Sequence, residues 1–469
     1  MAPREITAEE TALVQALLAN ARRAMAAIDH YDQAQADRLC QAVGWAAGNE
    51  ATATVLARMS VDESGLGSPE PGRRGKVLGI LRDTLRQKSM GVIEEIPEKG
   101  IVKYAKPAGV IASLIPVTSP YVTPIGIAIY ALKCKDAVIF APHPGSKRTT
   151  NETVRLMRAA LKMLGAPEDL LQCIEKPSIP LAQELMAQCD LTVATGGPPM
   201  VKAAYSSGKP AYGVGAGNAT MVIDETADVV EAARNSAISK TNDHGSGCSA
   251  DGNLIVEASI YDAFLERLQA EGGYLLSADE KEKVRAIYWD EEGRRTADTI
   301  ARAASVVAAK AGITLPAGKT FLIAQETQIG KAHHFSKEKL GTVVALFKYE
   351  GGFDGALEKV RQIFKVGGRG HSCGIYSFDD EHIHRLALVA PVSRIMVRQI
   401  QSRANAGTFT NGMPMTSSMG CGIWGGNITN ENVSLKHYMN VTWVSRPIPE
   451  DKPSEQELFG EFYNTVIPA

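Results

Sequence analysis

The chain of 469 residues carries almost no net charge: 50 lysines and arginines stand against 52 aspartates and glutamates, leaving a formal −2. A polyanion or an anionic membrane meets no organised field, so nucleic-acid and membrane-surface functions are set aside. Paired cysteines are also missing. The seven (Cys40, Cys134, Cys173, Cys189, Cys248, Cys373, Cys421) are spread singly with no CxxC, which argues against a disulfide framework and for a reducing, cytoplasmic setting. Nothing approaches the roughly 18 continuous apolar residues of a membrane span. The first residues are polar and mixed in charge where a signal peptide would be basic and then apolar. No internal repeat or low-complexity tract occurs. What remains is a soluble globular composition, 45% apolar and 22% charged, long enough for two large domains or three smaller ones.

The first 90 residues read as helices, opened by a Thr7-x-x-Glu10 capping box ahead of Leu13, Leu17 and Leu18. From residue 100 short β-branched runs alternate with helical stretches, the pattern of parallel βαβ units. Val110–Ile115, Ala137–Phe140, Leu191–Ala194 and Met221–Ile223 read as buried strands of an open sheet. A helix is expected from the Thr149-x-x-Glu152 box to Gly165, with Val154, Met157 and Leu161 inward. A second α/β region comes next, with a strand at Leu254–Val256 and a helix opened by Ser259-x-x-Asp262. Residues 278 to 312 suit surface helices, and Ser454-x-x-Glu457 caps a last one.

Chemistry is sought in the loops. Gly213-Val-Gly-Ala-Gly-Asn218 is not read as a dinucleotide fingerprint, because it leads into a strand where the fingerprint needs a helix. Thr195-Gly196-Gly197-Pro198 is better placed. It lies between a strand and a helix, where glycines let a ligand approach exposed amides at a positive helix end. In His244-Gly-Ser-Gly-Cys248-Ser the cysteine sits among glycines in a polar loop, with an accessible sulfur and a free amide, both requirements of covalent thiol catalysis. Cys373 and Cys421 also lie in glycine-containing stretches. His333-His334 and His382-x-His384 are too sparse for a metal site, so none is expected. Arg73-Arg-Gly-Lys76 reads as a solvated loop.

Taken in order, Pro107-Ala-Gly, Pro116-Val-Thr-Ser-Pro120, Phe140-Ala-Pro-His-Pro144, Ala194-Thr-Gly-Gly-Pro198, Gly213–Asn218, the Cys248 loop, Glu338-Lys-Leu-Gly-Thr-Val343, Gly370-His371 and Gly420-Cys-Gly-Ile-Trp-Gly-Gly-Asn427 resemble the aldehyde dehydrogenase superfamily. The branch is the acylating, coenzyme A-dependent one, and the resemblance covers nearly the whole chain. It implies an α/β fold with a Rossmann-type nucleotide-binding domain over residues 1–228, to which 425–469 return, and a catalytic domain over 229–424. A small β segment near Ile101–Lys106 and Tyr438–Val444 would join subunits into a homodimer or homotetramer.

By the same resemblance Cys248 is the nucleophile, and Glu338 holds the nicotinamide ribose. Val214 stands where hydrolytic members carry a water-activating glutamate, which favours transfer of the thioester to coenzyme A. Thr118 replaces their oxyanion asparagine, leaving the Cys248 amide and the Thr118 hydroxyl as expected donors. The cofactor set is Pro142, His143, Ser146, Lys147, Arg148, Thr195, Gly196, Gly197, Gly215 and Glu338. With no acid near and Lys147 and Arg148 at hand, NADP is favoured, NAD remaining possible. His244, Ser246, Arg398 and Arg403 are the substrate candidates for a small anionic aldehyde, first sulfoacetaldehyde, otherwise succinate semialdehyde or acetaldehyde. An inert relative serving as a scaffold is the alternative of another class.

Overall fold

The computed structural model describes residues 4–70 and 72–465. Met1–Pro3, part of the polar N-terminal stretch, and Pro71, beside the Arg73 run, lie outside them. The Thr7 box forms as read: Thr7 caps the helix Ala8–Ala27 and Glu10 closes it. Helices Gln33–Gly48, Glu50–Ser64 and Arg74–Leu85 come next, then a ribbon of β1 (Gly91–Ile96) and β2 (Ile101–Pro107).

β3 (Val110–Ile115), β4 (Ala137–Pro142), β5 (Leu171–Cys173), β6 (Leu191–Thr195) and β7 (Ala211–Val214) form a five-stranded parallel sheet in the order β5-β4-β3-β6-β7. All of β3 and β4 is buried, as continuous apolar strands of a doubly covered parallel sheet should be. The chain turns outward in opposite directions from β3. The carboxyl ends of β3 and β6 therefore flank the topological switch point, where such sheets bind ligands.

β8 (Thr220–Ile223), β9 (Asn253–Glu257), β10 (Gly273–Leu275), β11 (Phe321–Glu326), β12 (Val343–Tyr349), β13 (Cys373–Tyr376) and β14 (Ile395–Val397) make a seven-stranded parallel sheet ordered β10-β11-β12-β9-β8-β13-β14. β15 (Met439–Ser445) returns to pair antiparallel with β2 along its whole length. The segment Val433–Tyr438 before it buries Val433, Leu435 and Tyr438 in the core of the first sheet.

Four local expectations are corrected. Met221–Ile223 lies in the middle of the second sheet, so the change of sheet falls between Val214 and Thr220, ahead of residue 228. The helix expected at Thr149 starts at Lys147, because the Thr149 hydroxyl is drawn to Glu63 instead of capping. Ser259 does not cap the helix Tyr261–Ala270. Its hydroxyl and amide are both given to Glu257. The Arg73 run is not a solvated loop: Arg73 stands at the start of the helix Arg74–Leu85, whose Val77, Gly79 and Ile80 are buried.

Candidate active site

The loop carrying Cys248 runs from the helix Val229–Thr241 to β9, and it meets two other loops. Gly217, between β7 and β8, packs so closely that a Cβ there would collide with the Cys248 carbonyl oxygen. The Gly367–Ser372 loop before β13 brings His371, and Gly370 has φ +84° and no room for a side chain against Cys421. Glycine is required at both positions by close approach.

His371 Nε2 lies 3.0 Å from Cys248 Sγ, and its Nδ1 is 2.8 Å from Ser372 Oγ. Burial, with Arg394 adding to it, pushes the His371 ring down to about 3, so it is neutral at pH 7. Cys248 is partly buried. Burial, with help from Glu338 and Cys421, raises its thiol to about 12, against the opposing pull of Lys76 and Arg394. Both directions favour the neutral thiol–imidazole pair at rest. The Nε2 lone pair can accept the thiol proton while Nδ1–H is held by Ser372, an arrangement suited to a general base. In the sequence His371 stands only within the Gly370-His371 motif, with no role attached. The signal available there is a histidine inside a glycine-rich turn that opens a buried strand.

The expected residues divide. The Cys248 amide has no hydrogen-bond partner among the described residues and is free for an oxyanion. Thr118, just past β3, accepts Arg73 Nη1 on its carbonyl at 2.8 Å. Ser246 is buried and joined through its hydroxyl to Arg73 and Asp243. Asp243 is thereby an anchor, pairing with Arg73 and accepting the Ser68 amide, in a left-handed pair with His244 (φ +50° and +51°). His244 is half-buried and its ring held below the usual range by burial. Arg398 and Arg403 are exposed and are not gathered round Cys248. Arg398 lies over the Phe378 ring at 4.0 Å. Instead, the structure brings in Lys76 and the buried Arg394, whose guanidinium donates to the carbonyls of His371, Gly420 and Asn430.

At the switch point Gly197 begins the helix Pro198–Tyr205; on the side a Cβ would fill, Gly215 faces open space and Gly197 meets only Pro199 at 3.8 Å, a cradle a dinucleotide can enter. Gly196, by contrast, is packed on Met200, and the Thr195 hydroxyl is bonded to Ser418 at 2.8 Å. The Gly215 amide faces the Cys421 sulfur. Glu338 Oε1 accepts the Gly217 amide at 3.0 Å, and burial raises its carboxyl to about 7. Beyond β4, which ends at Pro142, His143 caps a short turn through Nδ1 on the Gly145 amide at 3.0 Å, and Ser146 is buried. The amides of Arg148 and Thr149 are occupied by Glu63, at 2.7 and 2.8 Å. The premise that no acid stands near the phosphate candidates Lys147 and Arg148 is therefore corrected, since Glu63 arrives from a helix more than 80 residues upstream.

One further titratable group, Asp224, Glu225 and His382, could hold a cation among the described residues. His382 is not a free surface histidine. It bonds Asp224 at 2.8 Å and stacks on Phe353.

The family model "Aldehyde dehydrogenase family" matches residues 4–305. The chain belongs to that family. Among curated relatives it is 44% identical to a sulfoacetaldehyde dehydrogenase of Acholeplasma sp, over 95% of this chain and 93% of the relative. It is 40% identical to a sulfoacetaldehyde dehydrogenase (acylating) of Bilophila wadsworthia, over 94% and 97%. The solved acetylating aldehyde dehydrogenase of Geobacillus thermoglucosidasius superposes with a TM-score of 0.90 at 33% identity, covering 95% of this chain and 99% of that one. This protein is an oxidoreductase of the acylating aldehyde dehydrogenase type, and the scaffold reading falls. No described helix is long and apolar enough to cross a membrane.

Proposed function

We propose that the protein oxidises sulfoacetaldehyde to sulfoacetyl-CoA, with NAD(P)+ as hydride acceptor and coenzyme A as acyl acceptor, in a reversible reaction. The observation that carries the chemistry is the Cys248–His371 pair at 3.0 Å, set where the two sheets meet. The substrate is inferred from the sulfoacetaldehyde dehydrogenases that resemble this chain along nearly its full length.

Cys248 Sγ adds to the aldehyde carbon as its proton passes to His371 Nε2, and the Cys248 amide and the Thr118 hydroxyl receive the developing oxyanion. The nicotinamide cofactor, when bound, supplies the hydride acceptor, with Glu338, Gly197 and Gly215 as its binding residues. A thioester on Cys248 is left. Val214 is buried and apolar where hydrolytic members hold their base, while Asp243 is committed to Arg73 and Ser68. A thiol needs less activation than water, so coenzyme A takes the acyl group. Lys147 and Arg148 favour NADP+ and Glu63 opposes them, so the ratio of KM for the two cofactors decides that choice.

The sulfonate of a two-carbon aldehyde held on Cys248 needs its cation beside that thiol, so the exposed Arg398 and Arg403 are not assigned to it. Arg403→Ala is expected to leave KM for sulfoacetaldehyde and for acetaldehyde within about twofold of wild type, as for an exposed charge. Arg398→Ala should change neither. Steady-state kinetics with both aldehydes checks this.

The reading is tested by mixing enzyme, NAD(P)+ and sulfoacetaldehyde without coenzyme A. A burst of one reduced cofactor per site, with further turnover only when coenzyme A is added, is the expected result. Continuous formation of free sulfoacetate would instead make His371 a base for water and the enzyme hydrolytic. The β2–β15 ribbon and the exposed Trp443, Leu458, Phe459 and Phe462 support assembly into a homodimer or homotetramer.

A further inference from the structure

The carboxyl edge of the second sheet holds a cluster that no step of the reaction uses. Cys248 precedes the amino end of β9, whereas Glu257 closes that strand and Asp224 follows β8. β9 is five residues long, so the two edges are roughly 15 Å apart. Residues two apart on a strand share a face. Val222, Ile255, Phe347 and Ile375 lie in one apolar core, covered by the helices Phe353–Val366 and Asp380–Val389. The next positions on that face are Asp224, Glu257, Tyr349 and Ser377. The strand register sets them side by side in a polar row beneath Phe353 and His382.

Asp224 is fully buried. Its Oδ1 accepts the Thr226 amide at 2.9 Å and the Thr226 hydroxyl at 2.7 Å, which leaves Oδ2 facing His382 Nδ1 at 2.8 Å. One ligand atom from each of Asp224, Glu225 and His382 lies within 4.8 Å of the other two. The His382 ring is held in place: it stacks on Phe353 with centroids 4.0 Å apart and planes within 5°, and Asp379 stands 3.8 Å behind its Nε2. A carboxylate behind one ring nitrogen is how proteins orient a histidine that ligates through the other. Among the described residues no lysine or arginine pairs with Asp224, Glu225, Glu257 or Asp379, so the negative charge here is answered by His382 alone. A second observation points the same way. Tyr349 is 1% exposed, its ring beside Gly355 under the first turn of the covering helix, and its hydroxyl has no hydrogen-bond partner among the described residues. A buried hydroxyl calls for one. Burial, then Glu225, Asp224 and Glu257, push this hydroxyl above the usual tyrosine range, as expected of a group directed at the acidic row.

We propose that Asp224, Glu225 and His382 bind a divalent transition-metal cation of the zinc class, which secures the second sheet and takes no part in aldehyde oxidation. One imidazole nitrogen with two carboxylate oxygens suits zinc, whereas calcium and magnesium prefer shells of oxygen alone. The cation takes the place of the His382–Asp224 hydrogen bond, bonded to Nδ1, to Asp224 Oδ2 and to the Glu225 carboxylate. The ring proton then sits on Nε2, facing Asp379. A water in the fourth position accepts the Tyr349 hydroxyl. Glu225 is exposed and gives the cation its route in. Asp224 and His382 are 158 positions apart, so the bound ion cross-links β8 to the helix beyond β13. The assignment is independent of the reading of Cys248.

The test is calorimetric titration of the chelator-treated full chain with zinc chloride, alongside thermal unfolding with and without the metal. One zinc ion per chain should bind with a Kd of about 10 μM or tighter, and at about a hundredfold excess over Kd the melting temperature should rise by about 2–5 °C. His382→Gln and Glu225→Gln should each weaken binding at least about tenfold and abolish the rise, with turnover of the aldehyde unchanged. Both alter partly or wholly exposed side chains, so the test does not depend on the buried Asp224, whose asparagine variant has the Thr226 turn to lose. Tyr349→Phe should weaken binding severalfold. Cys248→Ala should bind zinc as wild type does. The proposal is overturned if no stoichiometric zinc binds, if both His382→Gln and Glu225→Gln bind it undiminished, or if binding disappears with Cys248. Tighter binding of calcium or magnesium than of zinc would overturn the choice of metal class.

Discussion

Cys248→Ala is expected to lower kcat/KM for coenzyme A-dependent aldehyde oxidation by about four orders of magnitude or more, the usual consequence of removing a covalent nucleophile. No neighbouring group can take over. Cys421 is buried, with its thiol raised by burial and its sulfur directed to the Met419 carbonyl and the Gly215 amide. Cys373 lies within β13 at zero exposure. The burst of reduced cofactor should vanish along with turnover, since no thioester can form. Thermal unfolding should stay within a few degrees of wild type, because one partly exposed thiol is lost. A variant that retained more than about a hundredth of the activity would mean that hydride leaves a non-covalent adduct, and the acyl-transfer scheme would have to be abandoned.

Whether a site residue is legible in the sequence depends on how far along the chain its partners lie. Cys248 and the Gly197 turn declare themselves locally: a polar glycine loop before a strand and a glycine–proline step before a helix are visible within a few residues. The doubly covered strands β3 and β4 are equally plain from their unbroken apolar runs. The rest is carried by distance along the chain. Glu63 reaches Arg148, Arg73 reaches Ser246, and His371 reaches Cys248 across 85, 173 and 123 positions. No local pattern encodes such meetings. The basic run at Arg73 misleads for the same reason: charge in sequence suggests solvent, but Arg73 finds Asp243 and the Thr118 carbonyl inside. The box at Thr149 does not form because a carboxylate from another helix outcompetes the local cap.

His371 carries the second large effect, and its sign with pH can be worked out. With the thiol pushed up to about 12, the thiolate fraction at pH 7 is roughly 10⁻⁵, too small to support catalysis unless a base takes the proton during attack. His371 is that base in the geometry found: it serves only when neutral, and its basicity rises as negative charge grows on the sulfur 3.0 Å away. Because burial and Arg394 depress its pKa to about 3, the ring stays neutral far below the pH at which an ordinary histidine would protonate. Wild-type kcat/KM should therefore be flat from about pH 5 to 7.5, where an unshifted histidine would impose a fall below about pH 6.5. Replacing it by alanine should cost about 10² to 10³ in kcat/KM at pH 7. It should also convert the flat profile into one that rises about tenfold per pH unit, since hydroxide must then remove the proton. His371→Asn, which keeps a polar group beside Ser372 but cannot act as a base at these pH values, should behave like the alanine variant in its pH slope. If either variant kept a flat profile at reduced rate, His371 would merely position the thiol, and the proton acceptor would have to be Glu338, the carboxylate whose burial-raised pKa of about 7 makes it the next candidate.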